Sequence, residues 1–553
     1  MSMTPTPDSD VHYWLSDDSV PRAVIRERVS ERREQLAKQR RYIEEEERRL
    51  STIWNSILPI NQLPQELIVD IFIACDDPAQ TWPFGRSKIG WIHLTRVCRY
   101  WREVACASPN LWRSIHVRRG SAWTELCLIR SAPCTIDVSF DDSRLPPSTF
   151  DLLRPHFNRI RTLTVLPVDM TPHLPALLSI LNKGLHSLEN LHVSSPVTTS
   201  TERVGVELTS QLHPNLRRVQ LGRSTIPHDP GVYSNLRSLT LTDCTRDGIS
   251  FHQFLDFVSG SPIEELNLRK VLHQLSIDDA STSGSTLRCG PPIDMPRLRR
   301  VKLHNDPPHV VSHFFSHIAV PSTARVLVKA SCIRNGDNTQ ETLSALLPRP
   351  HARSLSLLSQ ATEISLIVDH IYMLRISCPE KYAYAFVRLE VRTDHIGWTP
   401  SLRRAFQDVV AICSGAPIKT LNIEGYRGDE HESNDWPILF EGFPALQSLT
   451  LEGDGNTSDI WQALHPTPAS ATADKPVVHI PCPSLRSVRY DGAFPLREDI
   501  MSEIVECLRD RAKYGTRLEL LQFTLYHVRS TDYRTLMQTY CPELKELVTN
   551  VIH

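Results

Sequence analysis

The apolar positions of this chain follow two different rhythms. Between Arg22 and Ile57 the sequence is charged and glycine-free, and Val29, Leu36, Ile43, Leu50 and Ile57 recur every seven residues. That spacing predicts a helix over 22–57. Glu44 and Glu45 precede Arg48 and Arg49 by four, the orientation that supports a helix. A partnered coil wants two apolar positions per heptad, and here the second is Arg, Gln or Glu until Ile53. A solvated helix with one narrow docking stripe, at most a weak coiled coil, is therefore expected. The basic cluster Arg32, Arg33, Lys38, Arg40 and Arg41 reads as helix surface rather than a nuclear address, because glutamates interleave it.

Residues 58–118 change to short helical pieces rich in large apolar groups. LPINQLPQELIVDIFIAC opens a helix at Leu63-Pro64, where proline is tolerated at the first helical position and Glu66 meets the positive end of the dipole. Leu67, Ile68, Ile71 and Phe72 follow at helical spacing. A polar stretch, Asp76–Gly90, precedes a second helix predicted from Ile92, Leu94, Val97, Cys98, Trp101, Val104 and Ala105, which Ser108-Pro109 stops. Leu111 and Trp112 complete a tri-helical unit. At about 60 residues such a unit buries little surface for itself. Its spacing is compatible with an apolar stripe completed by another protein and equally with packing on the rest of the chain.

From residue 119 to 553 the frame L-x-x-L-x-L takes over. It is met by Ile160/Leu163/Val165, Leu188/Leu191/Val193, Leu216/Val219/Leu221, Leu236/Leu239/Leu241 and Ile263/Leu266/Leu268. It returns at Leu298/Val301/Leu303, Ile418/Leu421/Ile423, Leu446/Leu449/Leu451, Leu485/Val488/Tyr490 and Leu518/Leu521/Phe523. Approaches such as HPNLRRVQL, MPRLRRVKL and FPALQSLTL precede it, and early starts fall 28, 28, 20 and 27 residues apart. Each L-x-L is a short strand with alternate side chains turned inward, and one repeat alone cannot bury that face. Helices are expected at Phe251–Val258, Leu402–Cys413 and Ile500–Leu508, before the next strands. Between Asn305 and Pro417 the frame is lost. Strand-like pieces at Arg325–Lys329, Ile364–Asp369 and Val387–Val391 lead us to expect the array to continue. Ser194–Glu202, Asp278–Thr286 and His465–Pro476 read as exposed loops. The expected fold class is α/β: an N-terminal helix and a small tri-helical module, then an irregular leucine-rich repeat solenoid, or horseshoe.

The middle x of each L-x-L would face the concave side. These positions are His192, Gln220, Thr240, Asn267, Lys302, Asn422, Thr450, Arg489 and Gln522. Mostly neutral and polar, they suit a folded protein or a peptide better than a polyanion, although plain solvation accounts for many such positions.

The run L-P-x-E-L-x-x-x-I-F at Leu63–Phe72, V-C-R-x-W-R-x-V-A at Val97–Ala105 and P-x-L-W at Pro109–Trp112 closely resembles the F-box. The long polar stretch at Asp76–Gly90 resembles the inserted variant of large fungal F-box-like families. The resemblance implies docking on the Skp-family adaptor of a cullin–RING ubiquitin ligase, while the rest of the chain captures a substrate. By position it places Leu63, Pro64, Leu67, Ile71 and Val97 in the adaptor-facing or helix-packing set. Phe72, Trp101, Leu111 and Trp112 would form the small core.

Composition narrows the remaining classes. The 553 residues carry 61 basic and 63 acidic side chains, a net charge of −2, which argues against a nucleic-acid binder. With 41% hydrophobic content the chain folds, and no apolar run approaches a membrane span. Residues 1–21 are polar and proline-containing, so we expect a tail rather than a secretory signal, and a cytoplasmic or nuclear protein. The 13 cysteines lack any Cys-x-x-Cys pair and read as buried hydrophobes, so no metal or other cofactor is expected. Phosphate-loop, nucleophile-elbow and zinc-helix motifs are missing, Gly453-Asp454-Gly455 reads as a turn, and His213 and His465 read as loop residues. Asp141-Asp142 and Asp278-Asp279 read as solvated turns. No catalytic residue is assigned. The expected function is the non-catalytic substrate-recognition subunit of an SCF-type ligase, with an unknown protein substrate. The alternatives are a non-degradative interaction scaffold and, more weakly, a cryptic hydrolase.

Overall fold

A computed structural model describes residues 21–75, 90–117, 121–140, 148–165, 174–194, 205–246, 248–276, 291–332, 342–350, 353–368, 372–393, 402–426, 435–455, 457–469, 477–494, 496–526 and 530–553. The 1–20 tail, the polar stretch at 76–89, residues 195–202, Asp278–Thr286 and both acidic pairs lie outside them. The chain forms two compact units: residues up to 116 together with 120–136, and residues 117–119 together with 137–553.

The first unit is helical. Helix α1 spans Arg22–Ile57 with no buried residue. Its stripe, including Leu36, Ile43 and Leu50, is exposed throughout, and Lys38–Glu34 and Arg40–Glu44 pairs lace its polar surface. Helix α2 spans Gln65–Ala74, so Pro64 occupies the cap position and not the first helical turn, while Glu66 lies in that turn. The second predicted helix is broken: a 3-10 turn covers Gly90–Arg96, and helix α3 runs Arg99–Ala107. Cys98 is extended, and its sulfur accepts from Trp101 N at 3.5 Å, so it caps a new helix instead of continuing the old one. A 3-10 turn at Pro109–Trp112 follows. Helix α4, Ser121–Arg130, belongs to the same unit.

The second unit carries a large sheet. After Ile136–Phe140, which also belongs to it, its strands are β1 (Ile160–Val165), β2 (Asn190–Ser194), β3 (Arg218–Gly222), β4 (Ser238–Thr242), β5 (Glu265–Arg269), β6 (Arg300–His304) and β7 (Arg325–Cys332). They continue as β8 (Glu363–Val368), β9 (Tyr372–Ser377), β10 (Phe386–Thr393), β11 (Thr420–Tyr426), β12 (Ser448–Gly453), β13 (Ser487–Gly492), β14 (Leu520–Leu525) and β15 (Asn550–Ile552). From β1 to β7 each strand lies parallel to its predecessor, as it does from β11 to β15. The frame residues Leu239, Leu241, Leu266, Leu268, Val301 and Leu303 are buried, and their neighbours in sequence are not. Each fully buried leucine contributes about 1.5–3 kcal/mol relative to exposure.

The helices between strands bury one side each. Helix α5 (Phe251–Ser259) contributes Phe251, Phe254, Leu255 and Val258, and begins with a reciprocal cap between Ser250 and Gln253. Helix α6 is Pro308–His317, α7 Leu402–Ile412, α8 Trp436–Gly442, α9 Ser458–Leu464, α10 Glu498–Lys513 and α11 Ser530–Leu547.

The region where the frame disappears does not simply continue the array. Strand β10 pairs parallel with β7, β9 lies antiparallel between β10 and β8, and β8 pairs parallel with β11. The chain thus crosses past two strand positions, returns through a meander, and crosses again. Strands in a meander pack by plain alternation and need no leucine on an entering turn, so L-x-x-L-x-L vanishes there. Part of the expected 465–476 loop is also ordered, with Thr467–Ala469 paired antiparallel to Val477–His479.

His213 and His465 both lie outside helices and strands, as expected, but His213 is buried, its Nε2 3.2 Å from the Leu181 carbonyl, and His465 pairs with Asp510 at 3.3 Å. Cys75 is exposed, and Cys98, Cys106 and Cys134 are half-buried, so the cysteines are not uniformly interior.

Candidate functional site

Two surfaces gather the residues singled out from sequence. The first is the helical module. Along α2, Ile68 and Phe72 lie one turn apart and are fully buried. Phe72 packs against Trp101 with ring centroids 5.4 Å apart. The indole of Trp101 donates to Asn61 Oδ1 at 2.6 Å, and Asn61 donates in turn to the Asn55 carbonyl at 2.7 Å, tying the end of α1 to the core. Trp112 is buried, donates to the Ala105 carbonyl at 2.8 Å, and meets Trp91 edge-on at 5.0 Å. Leu111 is buried as well. Trp123 of α4 lies 5.6 Å from Trp112, and the Arg130 guanidinium sits 4.5 Å over the same ring. Sequence reading placed Ile68 on the apolar side of its helix but missed Trp91, Trp123 and Arg130. The tryptophans were the available signal, since an indole of that size seldom stays outside a module core.

The other side of α2 is left open. Leu67 is 47% exposed and Val97 58%, Pro64 is exposed, and Leu63 and Ile71 are half-buried. Ile60 and Ile73 are also exposed, and neither was picked out in sequence. A small helical module with a filled aromatic core and uncovered aliphatic side chains is suited to apolar docking, and no chemistry follows from it.

The second surface is one face of the sheet. Register links His192, Gln220, Thr240, Asn267 and Lys302 side by side across β2–β6. It links Asn422, Thr450, Arg489 and Gln522 in the same way across β11–β14. Leu327, Arg388, Arg375 and Ser365 join the two groups into one row, and no sequence frame marked them. The meander brings Arg388 to the middle of that row, where it shares the wholly buried Glu390 with Lys329, at 3.2 and 3.3 Å. Burial holds the His192 imidazole below its ordinary range. Burial and then the nearby Lys329, Lys302 and Arg269 do the same to His304. These histidines remain neutral near pH 7.

The buried Cys127, Cys413, Cys482 and Cys507 offer no activated thiol. Burial pushes the Cys127, Cys482 and Cys507 thiols up to about 12, so they stay protonated and unreactive. Among the described residues no group of His, Cys, Asp and Glu is placed to hold a metal ion, and no helix is long and apolar enough to cross a membrane.

A family model described as F-box-like matches residues 60–118. No curated protein matches the chain. Residues 60–118 are therefore an F-box-like domain, and the strands of the large sheet from Ile136 onward lie outside the matched residues.

Proposed function

We propose that this chain is the substrate-recognition subunit of an SCF-type cullin–RING ubiquitin ligase. The F-box-like domain binds a Skp-family adaptor through Leu63, Pro64, Leu67, Ile71 and Val97. The second unit is an irregular leucine-rich repeat solenoid, a horseshoe whose row from His192 to Gln522 meets a protein substrate. The chain supplies no reactive group. It raises the local concentration of its target at the ligase and fixes its orientation, which is the kind of acceleration proximity provides.

The observation that carries this reading is the division of α2. Ile68 and Phe72 are fully buried, while Leu67, one position from Ile68, is 47% exposed beside Pro64. A helix that served only its own fold would gain nothing from leaving that aliphatic edge in water.

Co-purification with a Skp-type adaptor tests it. The Leu63→Ala/Pro64→Ala double variant should lose adaptor and cullin while keeping its circular dichroism. A folded double variant that retains the adaptor at the wild-type level would show that this segment is not the tether.

A further inference from the structure

The central row of the sheet is mostly neutral, but the side chains around its strand entrances are not. Residues two apart on a strand share a face, so Arg218, Glu265, Arg300 and Arg325 stand beside the row, paired in register through Ser238. With Arg237, Arg299, Glu264 and Tyr384 they line a cleft of about 660 Å³. A second cavity of about 310 Å³ shares Arg237 and Glu264 and adds Arg217 and Arg297. Seven arginines therefore surround two carboxylates.

Those carboxylates are already engaged. Glu265 holds Arg300 at 3.0 Å, and Glu264 lies 3.9 Å from Arg237 and 3.8 Å from Arg299. The Arg325 Nε donates to the Tyr384 carbonyl at 2.8 Å. Among the described residues no ion pair engages Arg217, Arg218 or Arg297. Guanidinium groups are forked donors that bind carboxylate and phosphate in bidentate fashion, and clustered like charges repel until an anion joins them.

We infer that this arginine-lined cleft over β3–β7 is a binding site for a short peptide segment carrying a compact anionic cluster of carboxylates or phosphates. The inference rests on the reading of this unit as the capture module, and it names the chemistry captured. The same face limits the length of the ligand. Glu424, Glu452 and Asp491 lie side by side further along it, on β11–β13. Burial first, and then the negative field of Glu424 and Asp491, raise the Glu452 carboxyl above its usual range. A long nucleic acid crossing the sheet would run into that field. Among the described residues Tyr384 is also the single aromatic lining the cleft, too few for a stacking platform. A peptide whose anionic cluster is followed by basic residues meets complementary charge at both places.

Fluorescence anisotropy with the full-length protein tests this, using a labelled oligoglutamate peptide, a phosphoserine peptide, a neutral peptide of the same length and an oligouridylate. One or both anionic peptides should bind well above the neutral one, and whichever binds tighter identifies carboxylate or phosphate as the natural group. Arg218→Gln/Arg300→Gln should weaken that binding about tenfold or more, as expected for lost charge-assisted hydrogen bonds. Arg299→Gln, at a side chain 80% exposed that cannot threaten the fold, should weaken it severalfold. Equal binding of neutral and anionic peptides, undiminished binding in both variants, or preference for the oligouridylate would each overturn the inference. Adaptor co-purification is measured on the same variants and should not change. Loss of the adaptor reading with peptide binding intact would therefore strike the ligase assignment and not the cleft.

Discussion

At the scale of single residues, neighbours on one helix have opposite tasks. Leu67→Asp places a charge on an already exposed edge and should abolish adaptor co-purification with little change in melting temperature. Phe72→Ala opens a hole against Trp101 and should cost about 3–5 kcal/mol, seen as a large drop in the melting of the helical module. If Leu67→Asp also unfolds the module, its exposed edge is structural. A second residue-scale expectation concerns pH. Burial lowers the His213 imidazole below its ordinary range, with nearby His186 acting in the same direction and backbone bonds opposing it. His192 and His304 are lowered too. Folding therefore favours their neutral forms. The unfolded chain takes up protons first as pH falls through about 6.5, so stability is full above that value and is lost below it. Melting temperature should fall from about pH 7.5 to about pH 5.5, and His213→Gln should make that fall shallower. An unchanged slope would mean that another group controls the acid side. Motif spacing made Phe72, Trp101, Leu111 and Trp112 legible as one set. The burial of His213 was not legible, because a neighbouring proline signals a turn but says nothing of what covers it.

At the scale of elements, the alternation L-x-L marked ten strands, since a buried strand face leaves its period in the sequence. It failed where topology changes. Strands β8–β10 form a reversed meander, and a long-range polar contact invisible to any local frame ties β9 to α7. Asp408 of α7 is buried and accepts from the Tyr372 hydroxyl at 2.7 Å and from Leu343 N at 2.9 Å. Asp408→Ala would take away the carboxylate that both buried donors meet, at about 1–3 kcal/mol each. Hydrogen exchange should quicken at residues 343–346 and 372–377, while β1–β5 keep wild-type protection. Uniform loss of protection would indicate that the meander does not open as its own unit. The glycines ending β12 and β13 are a different device. Gly492 has φ +143°, and a Cβ there would sit 2.1 Å from the Gly453 carbonyl oxygen of the adjacent strand. Gly492→Ala must therefore separate the two strand ends, and melting should fall accordingly.

At the scale of the whole molecule, near-neutral net charge conceals how charge is distributed, and the middle positions of the frame alone led to a face read as mostly neutral. The middle positions were visible in the frame. Their partners two residues away, Arg218, Arg300 and Arg325 on one stretch and Glu424, Glu452 and Asp491 on another, acquire meaning only when register sets the strands side by side. The sheet has a further collective property. Neighbouring strands share backbone hydrogen bonds, so a strand at an edge covers the one beside it. Strand β15 covers the edge of β14, and α11 packs on α10, contributing buried Met537, Cys541 and Leu544. Removal of residues 530–553 would uncover the α10 flank and leave one edge of β14 unpaired, a template for another chain. The truncated protein should bind more of a hydrophobic dye and elute as soluble aggregates in size-exclusion chromatography. Point variants on the row, such as Thr240→Ala, should do neither. A monomeric, dye-silent truncation would mean that the sheet is already closed at β14 and that cooperativity does not run through its end.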